Sequence, residues 1–467
     1  MRRYRRIFFR KLNKKWAVNF DRPFLFPENC LTKRNIGDIL SHSVVKDIIL
    51  LKGSSKMTAN AKKAIKIGSL CFLAYLAVYI AKNILGTVTP SMMSAGFTDS
   101  AIHTAKAVYF YTYAVGQLIN GAIGDKIKAK YMMSFGLAFA GISNFAFAEI
   151  CSKSDVIGTV PLAAYVAYAC TGFFLAMIYG PMTKVVSENT EMPYTTRCSL
   201  GYTIASYLGS PAAGIFASIW AWHKAFSASS IALVVMAAVV FFFFTLFEKK
   251  GFIVYGRFKA KKKSEGGKGK IKQLFERQIV KFAIIAMITG TIRTTLVTNL
   301  SEYFATRLSF SEEAAPLAFS LATLGIASSS FIVIFLYEKL GHNLDKILLI
   351  MFTSAAIFFS LTYFVTFNPY VNIVLIVLSI MSSNGAATML WSRYCPSLRD
   401  TGIVSGVTGF LDFLSYIAAG TMDLVTPHII HSIAWDGMML VCLGFMLIGI
   451  TISLPWKAIK KMFYKHA

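Results

Sequence analysis

Long apolar runs, separated by short polar segments, recur along the chain after residue 65. A membrane-spanning helix needs about 20 predominantly apolar residues. Twelve stretches meet that requirement, at 66–88, 104–124, 131–150, 157–183, 199–220, 226–247, 279–301, 314–337, 347–366, 370–391, 401–425 and 434–456. The pattern predicts an all-α membrane protein with 12 transmembrane helices.

The composition supports a multi-pass membrane protein and argues against a soluble one. Hydrophobic residues make up 55% of the chain, charged residues 15%, and the mean hydropathy is +0.57. A soluble domain averages about 25% charged residues. The seven cysteines are scattered singly, with no spacing typical of metal ligands, so we expect no metal and no cofactor.

The positive charge is distributed as expected for orientation in a membrane. The chain has a formal net charge of +26, and of its 48 Lys and Arg only four (Lys106, Lys153, Lys224 and Arg307) fall in the loops of one side. The terminal segments and the loops of the other side carry nearly all the rest. Cytoplasmic loops are enriched in Lys and Arg, which predicts that both termini are cytoplasmic. Orientation therefore explains the basic charge, and we expect no nucleic-acid partner.

A basic linker rich in Gly and Lys divides the predicted helices into two pseudo-symmetric six-helix bundles. Ser206-Tyr207-Leu208 in the fifth span and Ser415-Tyr416-Ile417 in the eleventh illustrate the internal repeat. The predicted organisation is a basic cytoplasmic N-terminal segment, an N-terminal bundle, a cytoplasmic linker, a C-terminal bundle and a cytoplasmic tail, at 1–65, 66–247, 248–278, 279–456 and 457–467.

The first 56 residues are basic and contain no predicted span. They fit an amphipathic arm on an anionic membrane surface. Equally, Met57, directly before the first span, fits a translation start. Both interpretations remain open, and neither assigns a function.

Two cations, Lys82 and Arg293, fall in the middle of apolar spans, at matching depths in the first span of each bundle. An intramembrane charge is costly and marks a partner, a pathway or a substrate. Asp412 is the one carboxylate that the pattern places deep in a span, so the predicted centre has a charge of +1. The sequence leaves open whether Asp412 is a counter-ion or a proton carrier.

Further polar residues are candidates for lining the same cavity. They are Tyr79, Tyr109, Tyr113, Gln117, Asn120 and Asn384. Lys184 and Glu188, at i and i+4, predict a gate or surface pair near the cytoplasmic end of the fourth span. No His/Asp pair or metal-ligand cluster is expected inside the spans, and no nucleotide-binding loop is found, so we predict that the protein is not an enzyme.

A glycine-rich motif after the second span resembles the signature of the major facilitator superfamily. It reads Gly121-x-x-Gly124-Asp125-Lys126, followed by Lys128 and Lys130, and Glu338-Lys339 ends the eighth span. Small residues let helices pack closely, and Asp125 can pair with basic residues at the helix end. The resemblance implies a gating role for Gly121, Asp125, Lys126 and Glu338.

Over residues 66–456 the chain is also similar to the organophosphate:phosphate antiporters within that superfamily. The resemblance is carried by Tyr79-Ile-Ala-Lys82-Asn83, Thr291-Ile-Arg293, Gly402-Ile-Val-Ser-Gly406-Val-Thr-Gly409 and Ala434-Trp435-Asp436-Gly437. It implies that paired cations grip the substrate phosphate, with Tyr113 nearby. Ala81 stands where the family has its first-span arginine, Leu118 where one branch has a lysine, and Glu188 roughly where it has a histidine.

The resemblance implies a secondary transporter that exchanges an organophosphate, such as a sugar phosphate or glycerol phosphate, for inorganic phosphate. Two alternatives stay open: proton-coupled symport of another organic anion, and a transport-inactive membrane sensor of such a ligand. We expect a monomer in the bacterial cytoplasmic membrane, with the lipid bilayer and a small anionic metabolite as partners.

Overall fold

The structure, a computed structural model, describes residues 58–124, 127–153, 158–191, 194–255, 274–398 and 404–454, which are almost entirely helical. The helices are α1 (Ala59–Ser94), α2 (Asp99–Gly124), α3 (Ala129–Ser152), α4 (Leu162–Leu175), α5 (Tyr179–Asn189), α6 (Tyr194–Ile219), α7 (Trp222–Lys249), α8 (Ile279–Thr291), α9 (Leu300–Thr306), α10 (Ala314–Lys339), α11 (Leu344–Phe364), α12 (Pro369–Met389), α13 (Cys395–Ser397) and α14 (Val404–Ser453). Two short π-helical segments, Ile292–Leu296 and Leu390–Tyr394, follow α8 and α12.

Within these described residues, nine helical stretches are long and apolar enough to cross a membrane. Two further helices fall short of this criterion, because tyrosines, Gln117 and Asn120 make α2 less apolar and the apolar part of α6, Ile204–Ile219, is short. The helix α14 covers two predicted spans at once. It is kinked at Ala434, whose φ of 57° and ψ of −162° are not helical.

Several helix boundaries differ from the hydropathy pattern. Helix α1 begins at Ala59, before the predicted start at 66, because polar residues can continue a helix beyond its apolar stretch. The predicted span 157–183 is two helices, α4 and α5, separated by a break after Leu175. Hydropathy measures only how apolar a stretch is, so breaks and π segments inside a stretch escape it.

The helices form two hydrophobic cores. The first consists of residues between Ala64 and Ile253, joined by Tyr416 from α14. The second consists of residues between Ile279 and Met446. Below, α1–α7 are called the N-terminal half and α8–α14 the C-terminal half.

The halves contact each other closely near the connection between α1 and α2, an end of the bundle here called the outer end because the charge pattern predicts it outside. A methyl group on Gly86 would lie 2.2 Å from the Thr298 carbonyl oxygen, so only glycine permits this approach. The Ser301 hydroxyl donates to the Thr87 carbonyl at 3.2 Å. On the other flank, Ser320 Oγ donates to the Pro211 carbonyl at 3.0 Å. The outer end is thus closed by direct contact between the halves.

Candidate functional site

Lys82 lies between the two halves and is surrounded by three tyrosine rings. Its side chain is 9% exposed, and Nζ donates a 2.6 Å hydrogen bond to the Tyr416 hydroxyl. Nζ also lies 4.5 Å from the ring centroid of Tyr416, 4.8 Å from that of Tyr113 and 5.3 Å from that of Tyr79. Ring faces attract cations, most strongly where water is excluded. The predicted cation is therefore held by α1 and α2 on one side and α14 on the other.

Arg293 lies in the π-helical segment that follows α8. Single π turns inside α-helices are rare and often occur at functional sites. The last turn of α8, directly before this segment, is held against α14, since a methyl group on Gly290 would lie only 1.8 Å from Ser415 Oγ. The guanidinium is half-buried and interacts electrostatically with Tyr416, Tyr79 and Asp412.

Asp412 lies on α14, one turn before Tyr416, and is half-buried. Its carboxylate interacts electrostatically with both Lys82 and Arg293. Within the described part of the chain, however, Asp412 makes no ion pair of 4.0 Å or less with either cation. Two cations and one carboxylate thus share a centre without neutralising each other by direct contact.

One tyrosine from each copy of the internal repeat lies near this centre. Tyr207 of α6 and Tyr416 of α14, the central residues of the two repeated tripeptides, are both electrostatic neighbours of Arg293. The Tyr207 hydroxyl forms a 2.6 Å hydrogen bond with Ser330 of α10, which joins the halves at this depth. The sequence pattern identified both tyrosines as part of a repeat but did not predict that they lie at the site.

The other predicted cavity residues divide into two groups. Tyr79 and Tyr113 contact Lys82, and Gln117 hydrogen-bonds to Tyr113. The remaining three pack within one half. The side chain of Asn384 donates to Ser329 at 2.7 Å, that of Asn120 donates to the Phe173 carbonyl at 3.3 Å, and Tyr109 is buried against Tyr113 and Tyr168.

The predicted gating motif is described only in part. Gly121 lies in the last turn of α2 and Glu338 is exposed at the end of α10, whereas Asp125 and Lys126 lie outside the described residues. The neighbouring basic residues bind α7. Lys128 and Lys130 contact the two carboxylate oxygens of Glu248 at 2.7 and 2.5 Å.

A second polar cluster, which the sequence missed, lies near the outer end. Lys106, assigned to a loop by the charge pattern, is a buried residue of α2 with 3% exposure. Asp412 is not the one deep carboxylate, because Asp423 and Glu302 are 0% and 1% exposed. The expectation of no His/Asp pair inside the spans is also wrong, since His103 Nδ1 lies 3.4 Å from Asp423 Oδ1. Hydropathy failed here because these charges satisfy one another across the two halves.

Lys106 supplies the fixed positive charge of this cluster. Its Nζ donates to Asn299 Oδ1 at 2.5 Å and lies 3.5 Å from Glu302 Oε2. The Asn299 amide in turn donates to Asp423 at 3.0 Å. Ligand atoms of Asp99, His103 and Glu302 lie within 4.8 Å of one another, but the ammonium of Lys106 already supplies a cation beside them. We therefore assign no metal ion to the cluster.

The Tyr416→Phe variant tests how Lys82 is positioned. It keeps the ring but removes the hydroxyl that accepts the 2.6 Å hydrogen bond. A hydrogen bond to a charged group contributes about 1.5–3 kcal/mol, so we expect the apparent affinity for the ligand to fall roughly 10-fold or more. Tyr111→Phe is the matched control, because its hydroxyl bonds Thr421 in the same α2–α14 contact without touching Lys82. Equal affinities in the two variants would contradict this role for the Tyr416 hydroxyl.

Membrane-crossing helices form two halves around a charged centre, and the halves contact each other at one end. Solved structures share this fold. A bacterial homolog of the human lysosomal transporter Spinster, described as inward-facing and unoccupied, matches 84% of this chain and 96% of its own with a TM-score of 0.66 at 10% identity. The D-xylose-proton symporter matches 84% and 95% with a TM-score of 0.60 at 12% identity. At these identities the likeness shows the fold alone.

The chain belongs to the Major Facilitator Superfamily, whose family model matches residues 71–420. It is therefore an integral, multi-pass membrane protein of a transporter family and not an enzyme.

Two bacterial proteins are similar to parts of this chain in sequence. The "Membrane sensor protein UhpC" of Salmonella typhimurium is 27% identical over 77 residues, which are 16% of this chain and 17% of that protein. A "Probable hexose phosphate transport protein" of Chlamydia trachomatis is 21% identical over 170 residues, which are 35% of this chain and 36% of that protein. The chain thus matches about a third or less of the length of either relative.

Proposed function

We propose that this protein transports a small organic anion by alternating access, and that the anion is an organophosphate exchanged for inorganic phosphate. One observation carries the proposal: Lys82 from the N-terminal half and Arg293 from the C-terminal half share a centre with a single carboxylate, Asp412. The centre has a formal charge of +1 and lies between the two halves. An anion bound there would complete the charge balance and bridge both halves at once.

The two cations suit different parts of this task. A guanidinium presents a planar fork that binds phosphate or carboxylate through two parallel hydrogen bonds. An ammonium is a compact point charge, which here is oriented by three tyrosine rings. Tyrosine hydroxyls beside both cations can donate to further anion oxygens. The site residues in this proposal are therefore Lys82, Arg293, Tyr79 and Tyr113, whereas Asn384 acts through packing against α10.

The contacts between the halves support alternating access. They close the outer end, while Arg293 and Asp412 are only partly buried between the halves, which supports access to the centre from the other end. In the proposed cycle the halves rock around the bound anion, and contacts at the outer end break as contacts at the inner end form. The motif at Gly121, Asp125, Lys126 and Glu338 would serve the inner gate, together with the Lys128–Glu248–Lys130 contacts.

The name of one relative supports a phosphorylated ligand. The chlamydial relative is called a probable hexose phosphate transport protein. The Salmonella relative is called a membrane sensor, which favours the sensor as a second candidate function. A screen of anions separates the possibilities by ligand class, because a ligand that binds the folded state raises the unfolding temperature of the purified protein. We expect sugar phosphates and inorganic phosphate to raise the unfolding temperature. If only carboxylates raised it, the organophosphate assignment would be overturned.

Topology and location complete the proposal. We propose twelve spans in two six-helix bundles, 66–247 and 279–456, with cytoplasmic termini, because the basic residues favour that orientation. The basic segments 1–65, 248–278 and 457–467 would then all face the cytoplasm. The bacterial relatives favour a bacterial cytoplasmic membrane. A monomer suffices, because both cations of the centre come from one chain.

The Asp412→Asn variant distinguishes a counter-ion from a proton carrier. In the exchange proposal Asp412 balances the cations when no anion is bound. We therefore expect Asp412→Asn to raise the apparent affinity for the anion and to slow exchange, because release then leaves a centre with a formal charge of +2. Asp345→Asn, which removes an exposed carboxylate paired with Lys281, is the control. A changed pH–rate profile with unchanged affinity would favour proton-coupled symport instead.

A further inference from the structure

The imidazole of His103 is enclosed by carboxylates at both of its nitrogens. Nε2 lies 3.2 Å from Asp99 Oδ1 and 3.2 Å from Glu302 Oε2. Nδ1 lies 3.4 Å from Asp423 Oδ1. The imidazole is completely buried, at 0% exposure, and Glu302 and Asp423 are buried with it, whereas Asp99 is 25% exposed.

This arrangement favours a protonated imidazole. A neutral imidazole has one N–H donor and one lone-pair acceptor, whereas the protonated ring donates from both nitrogens. A neutral His103 would place a lone pair beside a carboxylate, which is also an acceptor, whereas a protonated ring is attracted to all three carboxylates even though Nδ1 has no hydrogen-bond geometry to Asp423. Carboxylate oxygens of Asp99 and Glu302 also lie within 4.8 Å of each other, so an additional positive charge between them relieves the repulsion of two carboxylates.

The charged groups around His103 come from both halves of the protein. Its own helix, α2, supplies Asp99 and Lys106, and the C-terminal half supplies Glu302 from α9 and Asp423 from α14. The neighbouring α4 contributes Tyr168, an electrostatic neighbour of Asp423. With His103 neutral, three carboxylates face one ammonium. With His103 protonated, three face two cations, which brings the buried cluster closer to neutrality.

Opening of the outer end would separate these groups. Asp99 lies four residues before His103 on the same helix and moves with it, whereas Glu302 and Asp423 move with the other half. We propose that His103 is a proton-binding site between the halves, and that this proton holds the outer end closed. Opening removes two of the three acceptors that face the ring and releases the proton to the outer side.

The consequence is an acid-sensitive outer gate. Because linkage is reciprocal, a proton that binds the closed state more tightly also shifts the population toward that state. Acid outside would favour closure, and a higher pH would favour opening. The site is distinct from the Lys82–Arg293 centre, and its effect does not depend on which anion is carried.

The distance between the halves at the outer end measures this gate directly. Spin labels at Lys153, beyond α3, and at Phe367, between α11 and α12, would mark the N-terminal and C-terminal halves at positions that are 77% and 84% exposed. Pulsed spin–spin distance measurements on the full chain, with its native cysteines replaced, require no substrate. We expect the ratio of closed to open molecules to fall roughly 5- to 150-fold between about pH 5 and about pH 8.

Substitutions at His103 decide whether this residue is responsible. His103→Gln should abolish the pH dependence, and His103→Lys, which keeps a positive charge over the whole range, should hold the outer end closed throughout. His223→Gln, which changes an exposed histidine at the start of α7, should behave as the parent protein. If His103→Gln does not fold, Glu302→Gln removes one acceptor of the opposite half and should weaken the pH dependence. A full pH response in His103→Gln or in Glu302→Gln would overturn the proposal.

Discussion

Arg293→Lys will abolish transport, or reduce it severely, while the protein remains folded. The change keeps the positive charge but removes the planar fork that binds two oxygens of one anion. A hydrogen bond to a charged group contributes about 1.5–3 kcal/mol, and each 1.4 kcal/mol is a factor of ten, so the expected loss in transport efficiency is roughly 10- to 150-fold. Initial rates of anion uptake into vesicles, at several substrate concentrations, measure this loss.

The control for this variant is Arg307→Lys, in the same half of the protein. Arg307 pairs with Asp436 near the outer end, and a lysine can keep that partly exposed ion pair. We expect its transport to stay near that of the parent protein. Normal kinetics in Arg293→Lys would refute Arg293 as a residue that contacts the anion, because a purely structural cation tolerates the exchange of one charged head group for another.

Lys82→Gln will also stop transport, and it will do so without lowering thermal stability. The substitution removes one of two cations from the centre, so its formal charge falls from +1 to 0. A buried cation is costly, and Lys82 is compensated by one hydrogen bond and three ring faces without a carboxylate in contact. Its removal therefore relieves a desolvation cost while it weakens anion binding. Uptake assays and thermal unfolding of the same preparation measure the two effects separately.

Lys106→Gln, in contrast to Lys82→Gln, should lower the thermal stability. Lys106 is also buried, but it contacts Asn299 and Glu302 directly. Its removal leaves a buried carboxylate without its fixed cation, a change that costs about 3–5 kcal/mol in comparable pairs. We expect a clear fall in unfolding temperature. If Lys82→Gln were the less stable of the two and still transported normally, Lys82 would be a structural residue.

Hydropathy and charge predicted the fold well because both reflect the bilayer. Apolar stretches of about 20 residues became helices since the hydrocarbon core leaves no other partner for backbone polar groups. The break between α4 and α5 and the π segment at Arg293 were not predicted, because they depend on how neighbouring helices pack. The close approach of Gly290 to Ser415 is such a packing feature and leaves no mark in hydropathy.

The central charges were identified from the sequence, but their contacts were not. Lys82 and Arg293 stand out because they interrupt apolar runs. The hydrogen bond from Lys82 to Tyr416 joins residues 334 positions apart, so no local pattern reveals it. Tyr79 and Tyr113 were among the predicted cavity residues, whereas Tyr416, the third tyrosine beside Lys82, stood out in the sequence only as part of the internal repeat.

The outer cluster was missed for a different reason. Its charges lie near the ends of apolar stretches, where a hydropathy reading assigns them to loops. A helical spacing signal was present, since Asp99, His103 and Lys106 fall at i, i+4 and i+7, and therefore on one face of a helix. This face can be recognised as buried only when α9 and α14 are known to pack against it. The closing partners, Glu302 and Asp423, come from the other half of the chain.

Phosphate counterflow in reconstituted vesicles tests the central claim most directly. Vesicles that contain the purified protein are loaded with labelled inorganic phosphate, and an external sugar phosphate is added without any proton gradient. The account predicts that the sugar phosphate drives phosphate out, and that vesicles with Arg293→Lys show little or no efflux. Saturable binding without efflux would indicate a sensor. Uptake that requires an acid exterior and ignores internal phosphate would contradict the exchange of an organophosphate for phosphate.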